Sequence, residues 1–305
     1  MRRMDSNRIT VTVFNDPGCP WGYSAIPALR TIEWRYGAQL DWHLVLIGLT
    51  ESAQQYVDRG YTPLRSAQGQ VRFRRYGMPL APAPKPRISA TARACRAIVA
   101  TRLLHPGREW HALRSMQLAQ FTTPLVLEDD DQLHGVLARL DGIDADAVVA
   151  ALDSDEVTQA YEADRAESRS AAGTAGALQG KTANTDGAER YTAPSVRFER
   201  ADGSGKRLEA TGFQPVEAYD VLVANLDPTL DRRAPAGSAA EVLRGLADSR
   251  HGADVTTAEV ARIMAAGNDA PDREAAELEL LALVADGSAR RVPLGDGATW
   301  VWCGD

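Results

Sequence analysis

The spacing of apolar residues changes twice within the first fifty positions of this chain. Ile9-Thr10-Val11-Thr12-Val13-Phe14 is rich in β-branched residues and partly alternates apolar with polar, which predicts a strand. Asn15-Asp16-Pro17-Gly18 is a turn cluster. Beyond it Trp21, Ile26, Leu29, Ile32 and Trp34 recur at roughly helical spacing as far as Tyr36, and Gly37 supplies a stop. Residues 41–49 then read as a buried strand. Strand, helix, strand is a βαβ opening, from which a parallel sheet is expected.

Strand signals return only at Pro194, with 195–199 and 207–211. The interval is mostly helical in pattern, over 88–104, 109–121, 131–140, 144–152 and 155–178, with Asp144 and Ser154 or Asp155 as caps. A proline-rich loop at 79–86 rims it, and 180–189 is a polar, glycine-containing loop. A helix over 212–225 closes the first domain, and 229–238 reads as a linker. Helical patterns at 239–247, 256–264 and 272–285 then precede a hairpin, 289–294 with 298–302, turning around Gly295-Asp296-Gly297. Helices followed by a hairpin predict a winged-helix-like α+β domain over 239–305.

A chain of 305 residues can bury a sizeable core and suits two domains. No apolar run is long enough to cross a bilayer, and Met1 to Arg8 carry no signal core, so a cytoplasmic protein without membrane partners is expected. The winged-helix-like tail raises DNA binding, and charge argues against it. Residues 236–305 hold 6 arginines and no lysine against 12 acidic residues, and the would-be recognition helix carries Asp272, Glu274, Glu277 and Glu279. Phosphate-binding surfaces need the opposite sign. Packing or a homodimer contact suits the tail better, with Trp300 and Trp302 on one strand face serving either that contact or the tail's own core.

Chemistry concentrates at Cys19-Pro20-Trp21-Gly22, where the first strand hands over to a helix. A thiol there faces unpaired backbone N–H groups and the positive end of a helix dipole, both of which favour the thiolate. Cys19 is therefore a candidate nucleophile. Cys19, Cys95 and Cys303 are too few and too scattered for a disulfide framework. The five histidines show no metal-ligand spacing, and Glu128-Asp129-Asp130-Asp131 lacks the glycine-punctuated pattern of a calcium loop. Neither a metal nor a tightly bound cofactor is expected.

The run from Phe14 to Tyr23, a strand, an Asp-containing turn and then Cys-Pro-Trp, resembles the DsbA-like branch of the thioredoxin superfamily. That branch includes FrnE-type proteins and the related 2-hydroxychromene-2-carboxylate isomerases and kappa-class glutathione transferases. The resemblance implies an α/β thioredoxin-like fold with a helical insertion at about 50–190, inside a first domain of 1–228. It extends to Ala193-Pro194-Ser195, where the superfamily places a cis-proline facing the active cysteine. It thus implies Cys19 and Pro194 as catalytic residues, and Pro20, Trp21, Gly22, Ala193 and Ser195 as substrate-binding ones. This chain departs from the family at Gly22, where oxidoreductases carry a second cysteine to resolve the mixed disulfide. A dithiol cycle within the motif is excluded.

Three functional readings follow. Cys19 acts as a monothiol oxidoreductase with glutathione or, in a cell of the arginine-rich actinobacterial kind, mycothiol as cosubstrate. Alternatively the site is a thiol-dependent transferase or isomerase, with Ser24 or Ser195 as the hydroxyl and Arg190 or Arg197 for the carboxylates. In the third reading it is a non-catalytic thioredoxin-like scaffold. Cys95, inside a predicted helix, is either a distant resolving thiol or, more ordinarily, a buried small residue.

Overall fold

The computed structural model describes residues 9–267 and 269–304; Met1 to Arg8, on which the reading of the chain's start rests, lie outside the described residues. Strand β1 (Ile9–Asn15) is buried along almost its whole length, as its apolar and threonine side chains allow. It pairs in parallel with β2 (Leu40–Leu46), from Ile9 opposite Leu40 to Asn15 opposite Leu46. Between them the predicted single helix is two, α1 (Pro20–Ser24) and α2 (Ile26–Tyr36), divided at Ala25. Pro27 accounts for the break, since it lacks an N–H and its ring crowds the preceding turn.

The insertion begins with two helices that the apolar pattern did not announce, α3 (Ala53–Asp58) and α4 (Pro63–Val71), followed by a 3₁₀ turn at Arg72–Tyr76. It continues through α5 (Ala92–Leu104), α6 (Glu109–Thr122), α7 (Asp130–Leu137), α8 (Ala145–Ala150), α9 (Asp155–Ser168) and α10 (Ala175–Leu178). A two-residue ladder, β3 (Thr182–Ala183) with β4 (Arg190–Tyr191), leads to β5 (Ser195–Arg200) and β6 (Arg207–Thr211), and α11 (Val216–Leu226) closes the unit. The sheet order is β2-β1-β5-β6. Only the β1–β2 pair is parallel; β5 runs antiparallel to β1, and β6 returns as its hairpin partner. The result is a mixed α/β thioredoxin-like fold in place of a wholly parallel sheet. Its core joins the sheet to α2, α5, α6, α9 and α11.

The tail comprises α12 (Ala239–Gly245), β7 (Val255–Thr256), α13 (Thr257–Met264), α14 (Arg273–Ala285) and the hairpin β8 (Ala289–Leu294) and β9 (Gly297–Trp302). Its sheet runs β7-β9-β8, an order compatible with the winged-helix-like expectation. Trp300 is fully buried in the tail's own core and its indole Nε1 donates to Thr257 Oγ1 at 3.0 Å, so it offers nothing to a dimer contact.

A charged seam joins the two parts. Arg114 on α6 makes a two-pronged pair with Glu259 on α13, both distances being 2.9 Å, and Glu259 is fully buried. Arg30 on α2 lies 3.3 Å from the same carboxylate and 2.9 Å from Glu33, which in turn meets His251 Nδ1 at 2.9 Å. Burial would raise the pKa of Glu259, yet Arg114 and Arg30 hold it below the usual carboxylate range. At the hairpin tip, Asp296 Oδ1 accepts from the Leu80 N–H at 2.7 Å while its own N–H donates to Leu80 O at 2.8 Å. Gly295 is required there: its φ is +55°, and a Cβ would lie 2.7 Å from Leu80 O.

Candidate active site

Cys19 is the N-cap of α1, and its Sγ accepts weakly from the Gly22 N–H at 3.5 Å. The thiol donates to the Ala193 carbonyl at 3.2 Å, and the Ala193–Pro194 bond is cis. The sheet makes this meeting. β1 delivers Cys19 to its carboxyl end, and β5, antiparallel beside it with Phe14 opposite Ser195, brings Ala193 and Pro194 to the same edge. Phe14 and Tyr191 stack at 4.1 Å beneath the thiol, in a cluster that includes Cys19 and Ala193.

The thiol is far from activated. Cys19 is only 5 % exposed. Burial pushes its pKa up to about 12, Asp16 adds to the rise, and the Gly22 and Trp21 N–H groups and Arg190 oppose it without prevailing. The expectation of a depressed pKa is therefore overturned. A helix of five residues carries a short dipole, and desolvation of the sulfur outweighs it.

Asp16, which the sequence showed only as a turn residue, proves central. Its carboxylate accepts from the Gly18 N–H at 2.8 Å, the Leu49 N–H at 2.8 Å, Thr91 Oγ1 at 2.9 Å and the Cys95 thiol at 3.6 Å. Burial raises its pKa despite these donors. Cys95 is buried and held by Asp16; like Cys19 and Cys303 it is a free thiol. The signal that could have marked Asp16 was its place three residues before the cysteine, on a turn already folded back toward the sheet.

Gly22 has a local reason. A Cβ there would lie 2.1 Å from Asn15 Oδ1 and 3.1 Å from Asn15 Cγ. Asn15 is buried, and the same oxygen accepts the Asp16 N–H at 2.8 Å. The seat of the resolving cysteine is thus filled by Asn15.

Of the other expected site residues, Pro20 and Trp21, with Pro17 and Gly18, line a cavity of about 650 Å³; these residues flank Cys19, which is not itself part of the lining. Trp21 is 38 % exposed and packs edge-on against Phe73 at 4.9 Å, with Phe213 at 5.3 Å. Ser195 turns away: its hydroxyl donates to Thr192 O at 2.6 Å and accepts the Gly212 N–H at 3.2 Å. Ser24 is buried on α1 outside the cavity lining. Arg190 lines the cavity, whereas Arg197 pairs with Glu167 at 2.7 Å and lies over the Phe14 ring. The cavity's other wall, α3, α4 and the 3₁₀ turn, was not foreseen. Its sequence signal is the run of arginines at 59, 65, 72 and 75. No cluster of metal-ligating side chains occurs among the described residues.

Known proteins share the fold that carries this site. Residues 10–188 match the DSBA-like thioredoxin domain family. Among solved structures, a Nitrosomonas europaea protein assigned as a protein disulfide isomerase superposes with a TM-score of 0.54 at 19% identity, covering 72% of this chain and 97% of its own. A protein assigned as a DsbA oxidoreductase from Streptomyces coelicolor gives 0.54 at 16% identity, covering 75% and 93%. The cytosolic disulfide reductase DsbM from Pseudomonas aeruginosa gives 0.48 at 18%, covering 72% and 97%. No curated protein matches the chain significantly.

Proposed function

The chain belongs to the DSBA-like thioredoxin domain family, and on that premise we propose that it exchanges thiols and disulfides through Cys19 alone, with a small thiol as partner. Cys19 attacks a small disulfide, its S–H proton leaves with the departing thiol, and a Cys19 mixed disulfide forms. A second small thiol then attacks that bond, regenerates the Cys19 thiol and carries off the new disulfide. Electrons come from the small thiol, and no further oxidant or reductant is consumed.

The observation that carries this reading is the Cys19 sulfur 3.2 Å from the Ala193 carbonyl, beside a cavity wide enough for a small molecule. Pro194 and Ala193 shape the face that meets the ligand, and Trp21 forms the cavity mouth. With Gly22 in the fourth position and the Cys95 thiol held by Asp16, we assign resolution to a small thiol from outside. The burial of Cys19 favours a small partner over a protein one. Glutathione or mycothiol is the class of cosubstrate that the family resemblance implies, with no resident cofactor. A thiol near pKa 12 exchanges about a hundredfold more slowly than one at 8.5, because its greater nucleophilicity only half offsets the loss of thiolate. Slow exchange remains exchange.

The same reading assigns 1–228 to the catalytic domain, 229–238 to a linker and 239–305 to a winged-helix-like lobe that packs and does not bind DNA. Three free thiols suit a reducing, cytoplasmic setting. A second reading, a binding module whose thiol does not turn over, draws on the single fact of the raised thiol pKa. Incubation with oxidised glutathione followed by intact mass decides between them. An adduct of one glutathione, absent from Cys19→Ser and released by added thiol, is expected; no adduct on Cys19 at any pH up to 10 would leave the binding module standing.

A further inference from the structure

The cavity beside Cys19 differs in charge from the rest of the molecule. The whole chain has a net charge of −7, yet seven cationic side chains line the cavity and no acidic one does. Arg87 is answered by Glu128 and Asp129 at 2.5 Å. Arg59, Arg65, Arg72 and Arg75 are exposed and have no carboxylate partner among the described residues. Lys85 is drawn inward, where its ammonium donates to Gln120 Oε1 at 2.8 Å and to the Leu125 carbonyl, again with no carboxylate. Burial lowers its pKa to about 8. Arg190 also lines the cavity and lies 3.8 Å from Asp186.

A recessed surface of one sign concentrates counter-ions of the other. The charge pattern also discriminates among anions. A tripeptide thiol carries an α-ammonium beside its carboxylates, and nothing acidic in the lining answers an ammonium. Guanidinium groups match phosphate oxygens two at a time, and several held on one wall suit a ligand with several phosphate charges. Tyr56 and Tyr61, 5.1 Å apart in the same lining, add flat apolar faces for the uncharged part of such a ligand.

We infer that this cavity takes a polyanionic thiol or disulfide whose far end carries phosphate groups, held by Arg59, Arg65, Arg72 and Arg75 with its sulfur toward Cys19. The inference rests on the thiol-exchange reading for the sulfur end and on the cavity alone for the phosphate end, so the two are tested apart.

Binding is measured by calorimetry on Cys19→Ser protein, with coenzyme A as the phosphate-bearing thiol, reduced glutathione as the mixed-charge one and cysteamine as the cation. Coenzyme A is expected to bind at least tenfold more tightly than glutathione, with cysteamine weakest and the advantage shrinking as salt is raised. Replacing the four exposed arginines by alanine should abolish the preference while leaving the melting temperature unchanged. Equal affinity for coenzyme A and glutathione, or no binding of coenzyme A, overturns the inference. Exchange is measured separately on wild-type protein by the mass of the Cys19 adduct formed from each disulfide. No adduct from any of them overturns the exchange reading and leaves the binding result to be judged by itself.

Discussion

The thiol pocket and the seam between the two lobes both bury ionisable side chains, and they treat charge in opposite ways. At the seam each acid has an arginine in hydrogen-bond reach: the buried Glu259 has Arg114, and the partly buried Glu33 has Arg30, with His251 Nδ1 at 2.9 Å on its other side. In the pocket Asp16 is satisfied by two backbone N–H groups, a hydroxyl and a thiol, all neutral donors. Cys19 has only a carbonyl and a weak N–H contact. The seam is therefore ionised and rigid, because losing one partner strands the other in a dry interior. Burial raises the pKa of both Asp16 and Cys19, and no side-chain cation in hydrogen-bond reach offsets it. Pairing makes an interface; unpaired burial makes a site that can respond.

The largest effect should come from breaking a pair at the seam. Glu259→Ala leaves Arg114 and Arg30 buried with one carboxylate fewer and should cost about 3–5 kcal/mol, read as denaturant midpoint, while Cys19 alkylation stays within twofold. A loss below about 1 kcal/mol would mean the seam is hydrated and the contrast with the pocket false.

Gly22→Cys comes next. The new side chain must displace Asn15, for about 1–3 kcal/mol, and should give little intramolecular disulfide with Cys19. Adding Asn15→Ala should recover part of that stability and raise disulfide yield, both measurable by thiol counting and thermal melting.

Acid provides a milder test. Glu259 and Glu33 are held below the usual range, so their stabilisation is present above the unfolded carboxylate value of about 4.3 and lost as pH falls through their folded values. The melting temperature should decline below about pH 4, and Glu259→Gln should flatten that decline. Cys19 titrates at the other end of the scale: its alkylation rate should keep rising past pH 9 without a plateau near 8.5. The smallest change is expected of Asp16→Asn. Removing a neighbouring negative charge should speed Cys19 alkylation a few-fold, and an unchanged rate would show that Asp16 exerts no field on the sulfur.

The sequence made legible those parts of this picture that are set by local pattern. β1, β2, the insertion helices α5 to α8, β5 after Pro194 and the tail hairpin follow apolar periodicity or turn chemistry that neighbours in sequence dictate, whereas the single helix expected over 155–178 is two, α9 and α10, parted at 169–174. Cys19 and Ala193 were placed together by resemblance, and they meet. What escaped depends on distance in space. Helices α3 and α4 bury almost nothing, so no apolar stripe marks them, although they, the residue after α3 and the 3₁₀ turn together carry four of the cavity's six arginines. The thiol's pKa is governed by desolvation, which no local motif encodes. Asp16 gains its position from Leu49, Thr91 and Cys95, partners up to 79 residues away.

The contact between Asn15 and Gly22 also bears on the history open to this chain. A single substitution that restored a second thiol would meet the Asn15 amide before it met Cys19, so the restored pair would be judged by its strain and not by its chemistry. A second thiol at this position is seated without strain only when Asn15 changes as well. The pair therefore acts as a lock on the place beside Cys19, and leaves the lining of the cavity as the part free to vary.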